Sequence, residues 1–205
     1  MARYVTMAPR TRPLVAHPRL AWGGIVGPAT FVAAWLVSGA MRPGYSPVAD
    51  GISQLAAVGA STRPLMTAGF VVFGVGVPAY AVALHRSVPG SAYLTSIATG
   101  LAVLGVAAFP LGRSSTTDVV HGGWAMIGYV TLAATPLLAA LPLAASGHHR
   151  AATASVATGV ASGLCLAATL VGPGHGLLQR VGLTLGDTWL VVSAAWMLSG
   201  GHATG

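Results

Sequence analysis

Residues 20–41 read LAWGGIVGPATFVAAWLVSGAM, an uncharged and mostly apolar run. A helix that crosses about 30 Å of hydrocarbon needs about 20 such residues, because an α-helix rises 1.5 Å per residue. The run follows Arg3, Arg10, Arg12 and Arg19, as the apolar part of a signal peptide would. It is longer than the roughly 7–15 apolar residues of a secretory signal, so it predicts a first membrane helix instead.

Five more apolar runs follow along the chain. We predict spans at Leu20–Met41, Pro64–Leu84, Ala92–Leu111, His121–Ala144, Ala151–Gly172 and Val181–Leu198. Only 6% of the residues are charged and 54% are hydrophobic, whereas a soluble domain carries about 25% charged residues. The predicted fold is therefore all-α, a polytopic membrane helix bundle of about six transmembrane helices. The membrane domain covers 20–198, between a basic N-tail at 1–19 and a C-tail at 199–205.

The positive charges of this chain are all arginine, and their distribution predicts its orientation. The N-tail and the even connections between spans hold Arg3, Arg10, Arg12, Arg19, Arg86 and Arg150. The odd connections and the start of the last span hold Arg42, Arg63, Arg113 and Arg180, together with Asp50, Asp118 and Asp187. Because arginine is enriched in cytoplasmic loops, we expect both termini in the cytoplasm and the odd connections outside the cell membrane. The scattered arginines argue against nucleic-acid binding.

The first odd connection predicts a short interfacial helix at 47–58. Ser46 and Pro47 are typical of a helix start. One helical face would carry Val48, Ile52 and Leu55, and the opposite face would carry Asp50, Ser53 and Gln54. Such a helix could present Asp50 and Ser53 to a site, or it could be a surface helix with its polar face in water.

The second odd connection contains Arg113 and ends at Asp118, His121 and Gly122. Asp118 and His121 are three residues apart, so on a helix they share a face. Asp118 could orient the histidine ring, as carboxylates do beside metal ligands, or it could cap the fourth span. His121 could be a ligand or a hydrogen-bonded structural residue.

The third odd connection holds His175 and leads into a span that carries an acid. The uninterrupted apolar run 188–198 is too short to cross a membrane, so the last helix is expected to begin near Val181. Asp187 would then lie roughly 9 Å below the helix start. An acid at that depth usually faces a partner or a cavity. Two interpretations of Asp187 remain. It could form an ion pair with Arg180, or it could belong to a site shared with His175.

Three motifs in the odd connections resemble one known family. They are Gly44–Leu55 with Gly59 and Pro64, then Phe109-Pro110 with His121-Gly122, then Gly176–Arg180 with Trp189 downstream. With these motifs the chain resembles the family called domain of unknown function 998 over roughly Leu20 to Leu198. The resemblance implies a prokaryotic six-span membrane protein and no established reaction. Its motifs coincide with the polar residues that charge placement assigns to the outward face.

More than one function is compatible with this outward polar cluster of Asp, Ser, His and Arg. In the first interpretation it is a structural network, or a site for a membrane lipid or a partner protein, since polar groups buried in a membrane need partners. Membrane lipids are then the expected partners. A transporter is a further interpretation, because Asp187 could mark an ion pathway.

The alternative is a metal-dependent hydrolase or transferase that acts on a membrane lipid or a lipid-linked headgroup. A catalytic zinc site usually has three protein ligands and a bound water that ionises near neutral pH. The predicted ligands of such a divalent metal are His121, His175 and Asp50. The catalytic candidates are Asp50, Ser53, His121 and His175. The substrate-binding candidates, whose arginines would hold a phosphate, are Arg113, Gln179, Arg180 and Asp187.

Overall fold

The computed structural model describes residues 18–171, 174–201 and 203. The predicted N-tail up to residue 17, including Arg3, Arg10 and Arg12, lies outside the described residues. Gly172, the predicted end of the fifth span, and residues 202, 204 and 205 of the predicted C-tail also lie outside them.

The described residues form six α-helices and no strand, which confirms the predicted all-α polytopic helix bundle. The helices are α1 (Gly23–Met41), α2 (Arg63–Ser87), α3 (Ala92–Ala108), α4 (Ser115–Ala145), α5 (His149–Ala168) and α6 (His175–Leu198). A short 3-10 helix, Pro18–Trp22, leads into α1. Five of the six are long and apolar enough to cross a membrane, and α3 is a shorter apolar helix of 17 residues.

Each helix packs against the next one in the chain, and α6 returns to pack against α1, so the bundle closes on itself. The three odd connections meet at one end. There the Val58 amide donates to the Leu111 carbonyl at 2.9 Å, and the Leu177 amide donates to the Val48 carbonyl at 3.1 Å. At the opposite end the Ala203 amide donates to the Ser87 carbonyl at 2.8 Å. We call the first of these ends the odd-loop end.

Two helices begin about six residues earlier than the apolar pattern predicts. The first is α6, which starts at His175 rather than Val181, so Asp187 lies about 18 Å along the helix axis rather than 9 Å. The second is α4, which starts at Ser115, and Ser114 is its N-cap because its side chain accepts from the Thr117 amide. Asp118 is therefore not the cap. Apolar residues mark only the part of a helix that faces hydrocarbon, whereas helical hydrogen bonding continues into the polar ends.

The short helix predicted at 47–58 forms only in part. The segment forms a turn, closed by the Asp50 amide on the Ser46 carbonyl at 2.7 Å, followed by a 3-10 helix over Ile52–Ala56. Ile52 and Leu55 are buried in the core, whereas Val48 is 53% exposed. The physical reason is that distant groups of α6 take the hydrogen bonds that a local α-helix would need.

Candidate functional site

Arg180 is the centre of the polar cluster at the odd-loop end. Its side chain is buried, at 6% exposed. Nη1 donates to the carbonyls of Pro47 at 2.7 Å, Asp50 at 2.9 Å and Gly176 at 2.8 Å. Nη2 donates to the Tyr45 hydroxyl. One arginine of α6 therefore holds the first odd connection against the start of its own helix.

The Arg180 charge is compensated without a carboxylate. The guanidinium carbon lies 5.3 Å from the centre of the Trp35 ring and 5.4 Å from that of Tyr45, distances at which a ring face attracts a cation. Carbonyl oxygens accept from Nη1 and the Tyr45 hydroxyl accepts from Nη2, whereas Nε has no hydrogen-bond partner among the described residues. Since both Asp187 oxygens also lack a partner there, Arg180 and Asp187 do not form the pair that the sequence left open.

Tyr45 links this arginine to the backbone of the first odd connection. Burial raises the pKa of the Tyr45 hydroxyl, and the nearby Arg180 charge opposes that rise only in part. The hydroxyl therefore stays neutral, so it accepts from Arg180 and donates to the Gly51 carbonyl at 3.1 Å. Arg42 lies over the same ring, at 5.9 Å from its centre.

Gln179 extends the network to α4. Its Oε1 accepts from the Ile52 amide at 2.8 Å, and its Nε2 donates to the Tyr129 hydroxyl. Gly176 permits the close approach, because a Cβ at that position would lie 2.4 Å from the Asp50 carbonyl oxygen. We call residues 45–56 the cap, and the hydrogen bonds of Gln179 and Arg180 to it the cap network.

The predicted catalytic histidines and Asp50 do not converge. Oδ2 of Asp50 accepts from the Ser46 amide at 2.8 Å. His121 is buried, and its Nδ1 donates to the Phe109 carbonyl at 2.8 Å. His175 is exposed at the start of α6. Within the described ranges no three or more His, Cys, Asp or Glu side chains are grouped so as to hold a metal ion. The predicted ligand set of His121, His175 and Asp50 is therefore not assembled.

The remaining predicted site residues separate into two places. Arg113 is exposed in the second odd connection, and Asp118 beside it accepts from the Gly112 amide at 2.8 Å. Ser53 and Asp187, by contrast, line a common internal cavity.

This cavity lies directly beneath the cap and has a volume of about 50 Å³. A water molecule needs roughly 10–15 Å³ measured in this way, so the space admits a few waters or one small ligand. Helices α1, α2, α3, α4 and α6 all contribute to its wall, which includes Phe31, Phe73, Trp124 and Tyr129. These aromatic residues were not among the predicted site residues, because apolar spacing within one helix does not show which positions face a shared space.

Asp187 is the exceptional residue of the cavity wall. It is 3% exposed, and neither carboxyl oxygen has a hydrogen-bond partner in the part of the chain that the structure describes. Buried polar groups are nearly always hydrogen-bonded, so an unpartnered carboxyl requires an explanation. The cavity beside it is the space in which a partner could bind.

The six helices, the cap network and the cavity beneath it define the class of this protein. It is an all-α polytopic membrane bundle with a capped internal cavity. A family model described as "Protein of unknown function (DUF998)" matches residues 25–196, and the chain belongs to that family. This confirms the resemblance found from the three motifs. No curated protein and no solved structure matches the chain.

Proposed function

We propose that this protein is a non-catalytic binding protein that passes several times through the cell membrane. In this proposal the cap network is a structural closure over the internal cavity, and the cavity binds the ligand. The observation that carries the proposal is the bonding of Arg180, since three backbone carbonyls and a tyrosine hydroxyl accept from its two Nη atoms.

The hydrogen bonds of the cap network hold the cap in place over the cavity. Hydrogen bonds to a charged group contribute about 1.5–3 kcal/mol each, and a buried donor left unpaired costs at least as much. Arg180 and Gln179 together join the cap to α6 and α4, so the cap cannot lift without breaking several such bonds. Ligand entry from the odd-loop end therefore requires the cap network to open.

The same contacts argue against Arg180 as a binder of lipid phosphate. Its Nη atoms already donate to protein groups, and its Nε is enclosed. Arg113 is exposed and remains the candidate for a contact with a lipid headgroup. The metal-dependent hydrolase stays a prediction that no observation favours, since Asp50 and His121 are each bonded to backbone groups.

The proposed orientation places the odd-loop end outside the cell and both termini in the cytoplasm. It is supported by the arginine distribution, since Arg86 and Arg150 lie at the ends of α2 and α5 away from the odd-loop end and four further arginines precede α1 in the sequence. In a Cys165→Ser background, a membrane-impermeant thiol reagent should label Arg113→Cys on intact cells and should not label Arg150→Cys. The opposite labelling pattern would contradict the proposed orientation and place the odd-loop end in the cytoplasm.

The closure is tested by Arg180→Met, which keeps an apolar stem and removes every donor. We expect the variant to unfold more easily, and we expect thiol labelling of Ser53→Cys in the cavity wall to become faster. Arg113→Met is the matched control, because Arg113 is exposed, and it should change neither quantity. If Arg180→Met matches this control in both measurements, the cluster is not a closure and the proposal fails.

A further inference from the structure

The carboxyl group of Asp187 lies in an environment that does not stabilise its charge. It is buried near the middle of α6, and no described side chain donates a hydrogen bond to it. An ionised carboxylate without a partner in such a place is strongly disfavoured. Arg180, the nearest arginine along α6, has its Nη atoms on cap groups. A partner from outside the chain would supply the missing compensation.

The walls of the cavity indicate the chemistry of that partner. Phe31, Phe73 and Trp124 line the same space as Asp187, and aromatic faces attract ammonium groups, the more so where water is excluded. Hard cations such as Ca²⁺ instead require six to eight oxygen ligands, and a single carboxylate among rings does not provide them. The cavity therefore favours a cation that donates N–H bonds.

The hydroxyl groups of the wall complete the set of acceptors. The Tyr129 hydroxyl accepts from Gln179 and keeps acceptor capacity. Ser53, a half-buried residue of the cap, also lines the cavity and carries a hydroxyl acceptor. Together with the two Asp187 oxygens, these groups provide acceptors for an ammonium group. The volume of about 50 Å³ restricts the ligand to a very small one.

We propose that the central cavity is a binding site for the ammonium ion or a comparably small protonated amine, with Asp187 as the counter-ion. This site deepens the proposed function and rests on it, because residues of the cap line the cavity. Ser53 of the cap and Gln179 of the cap network both line the space, so the cap forms one wall of the site.

The test uses the full chain in lipid nanodiscs and measures the thermal unfolding midpoint at constant ionic strength. Ammonium chloride and methylammonium chloride should raise the midpoint of the wild type with rising concentration, and sodium chloride should not. Asp187→Asn should weaken the ammonium effect by about tenfold or more, as expected for the loss of a charge-assisted bond. Asp118→Asn is the matched control, since Asp118 lies outside the cavity wall, and it should retain the full effect.

A second variant leaves the carboxyl in place. Ala125 lines the cavity, so Ala125→Leu should fill it and abolish the ammonium effect while Asp187 is unchanged. An equal rise with sodium, a full ammonium effect in Asp187→Asn, or no rise in the wild type would each overturn the site. Infrared difference spectra distinguish binding of a proton by Asp187 from binding of an amine. If an amine binds, adding ammonium at constant pH should remove the band of the protonated Asp187 carboxyl. A band that changes with pH but not with ammonium would also overturn the site.

The two proposals can fail separately. The ammonium titration uses the intact wild type, so its result does not depend on how Arg180→Met behaves. If Arg180→Met behaves as expected for a closure but ammonium has no effect on the wild type, only the ligand assignment fails. If ammonium has its effect but Arg180→Met behaves like Arg113→Met, only the closure fails.

Discussion

Adding a single methyl group at Gly176 should dislodge the cap. The Cβ of Gly176→Ala would lie 2.4 Å from the Asp50 carbonyl oxygen and 2.9 Å from the Pro47 carbonyl oxygen. Both atoms are backbone and both accept from Arg180, so the cap must move as a unit. Overpacking of this kind costs about 1–3 kcal/mol, and a charged hydrogen bond lost to the same movement adds about 1.5–3 kcal/mol.

The matched control for this change is Gly123→Ala in α4. A Cβ at Gly123 would meet no atom within 4 Å. Alanine is favoured over glycine in a helix by about 1 kcal/mol, so the control should be neutral or stabilised. The two variants should therefore differ in sign. The assay is the free energy of unfolding in mixed micelles. Equal values for the two variants would refute the reasoning, since the close approach of the cap would then have no energetic consequence.

Two further predictions concern the cap network. Gln179→Leu leaves the Ile52 amide without its acceptor and should lower the free energy of unfolding by about 1–3 kcal/mol. Gln54→Leu, at an exposed position, is the control and should have little effect. Similar losses in both variants would contradict the role of Gln179. The second concerns alkaline pH. Because burial raises the pKa of Tyr45, its contribution to stability is fully present below the ordinary tyrosine pKa of about 10 and is lost as pH rises through the folded-state value. Chemical denaturation between pH 8 and 11 should show this decline in the wild type, and a decline of the same size in Tyr45→Phe would exclude Tyr45 as its source.

The sequence singled out Gln179, Arg180, Ser53 and Asp187, which lie in the cap network or line the cavity, but it did not predict the partners of Arg180 and His121. Arg180 was expected to meet a phosphate or Asp187, and it bonds to backbone carbonyls instead. Carbonyl groups belong to every residue, so no sequence pattern distinguishes the three that an arginine will use. His121 was a ligand candidate, and its Nδ1 is bonded to the Phe109 carbonyl for the same reason.

The sequence by itself determined the helices, their number and the end at which the odd connections meet. Hydrophobicity over about 20 residues is a local property, and alternating direction follows from consecutive spans. Only the tertiary structure decided the form of the cap and the surroundings of Asp187. Arg180 and Pro47 are 133 residues apart, and such contacts override the local helical pattern at 47–58. The cavity likewise exists only where five helices and the cap come together, so no single segment encodes it.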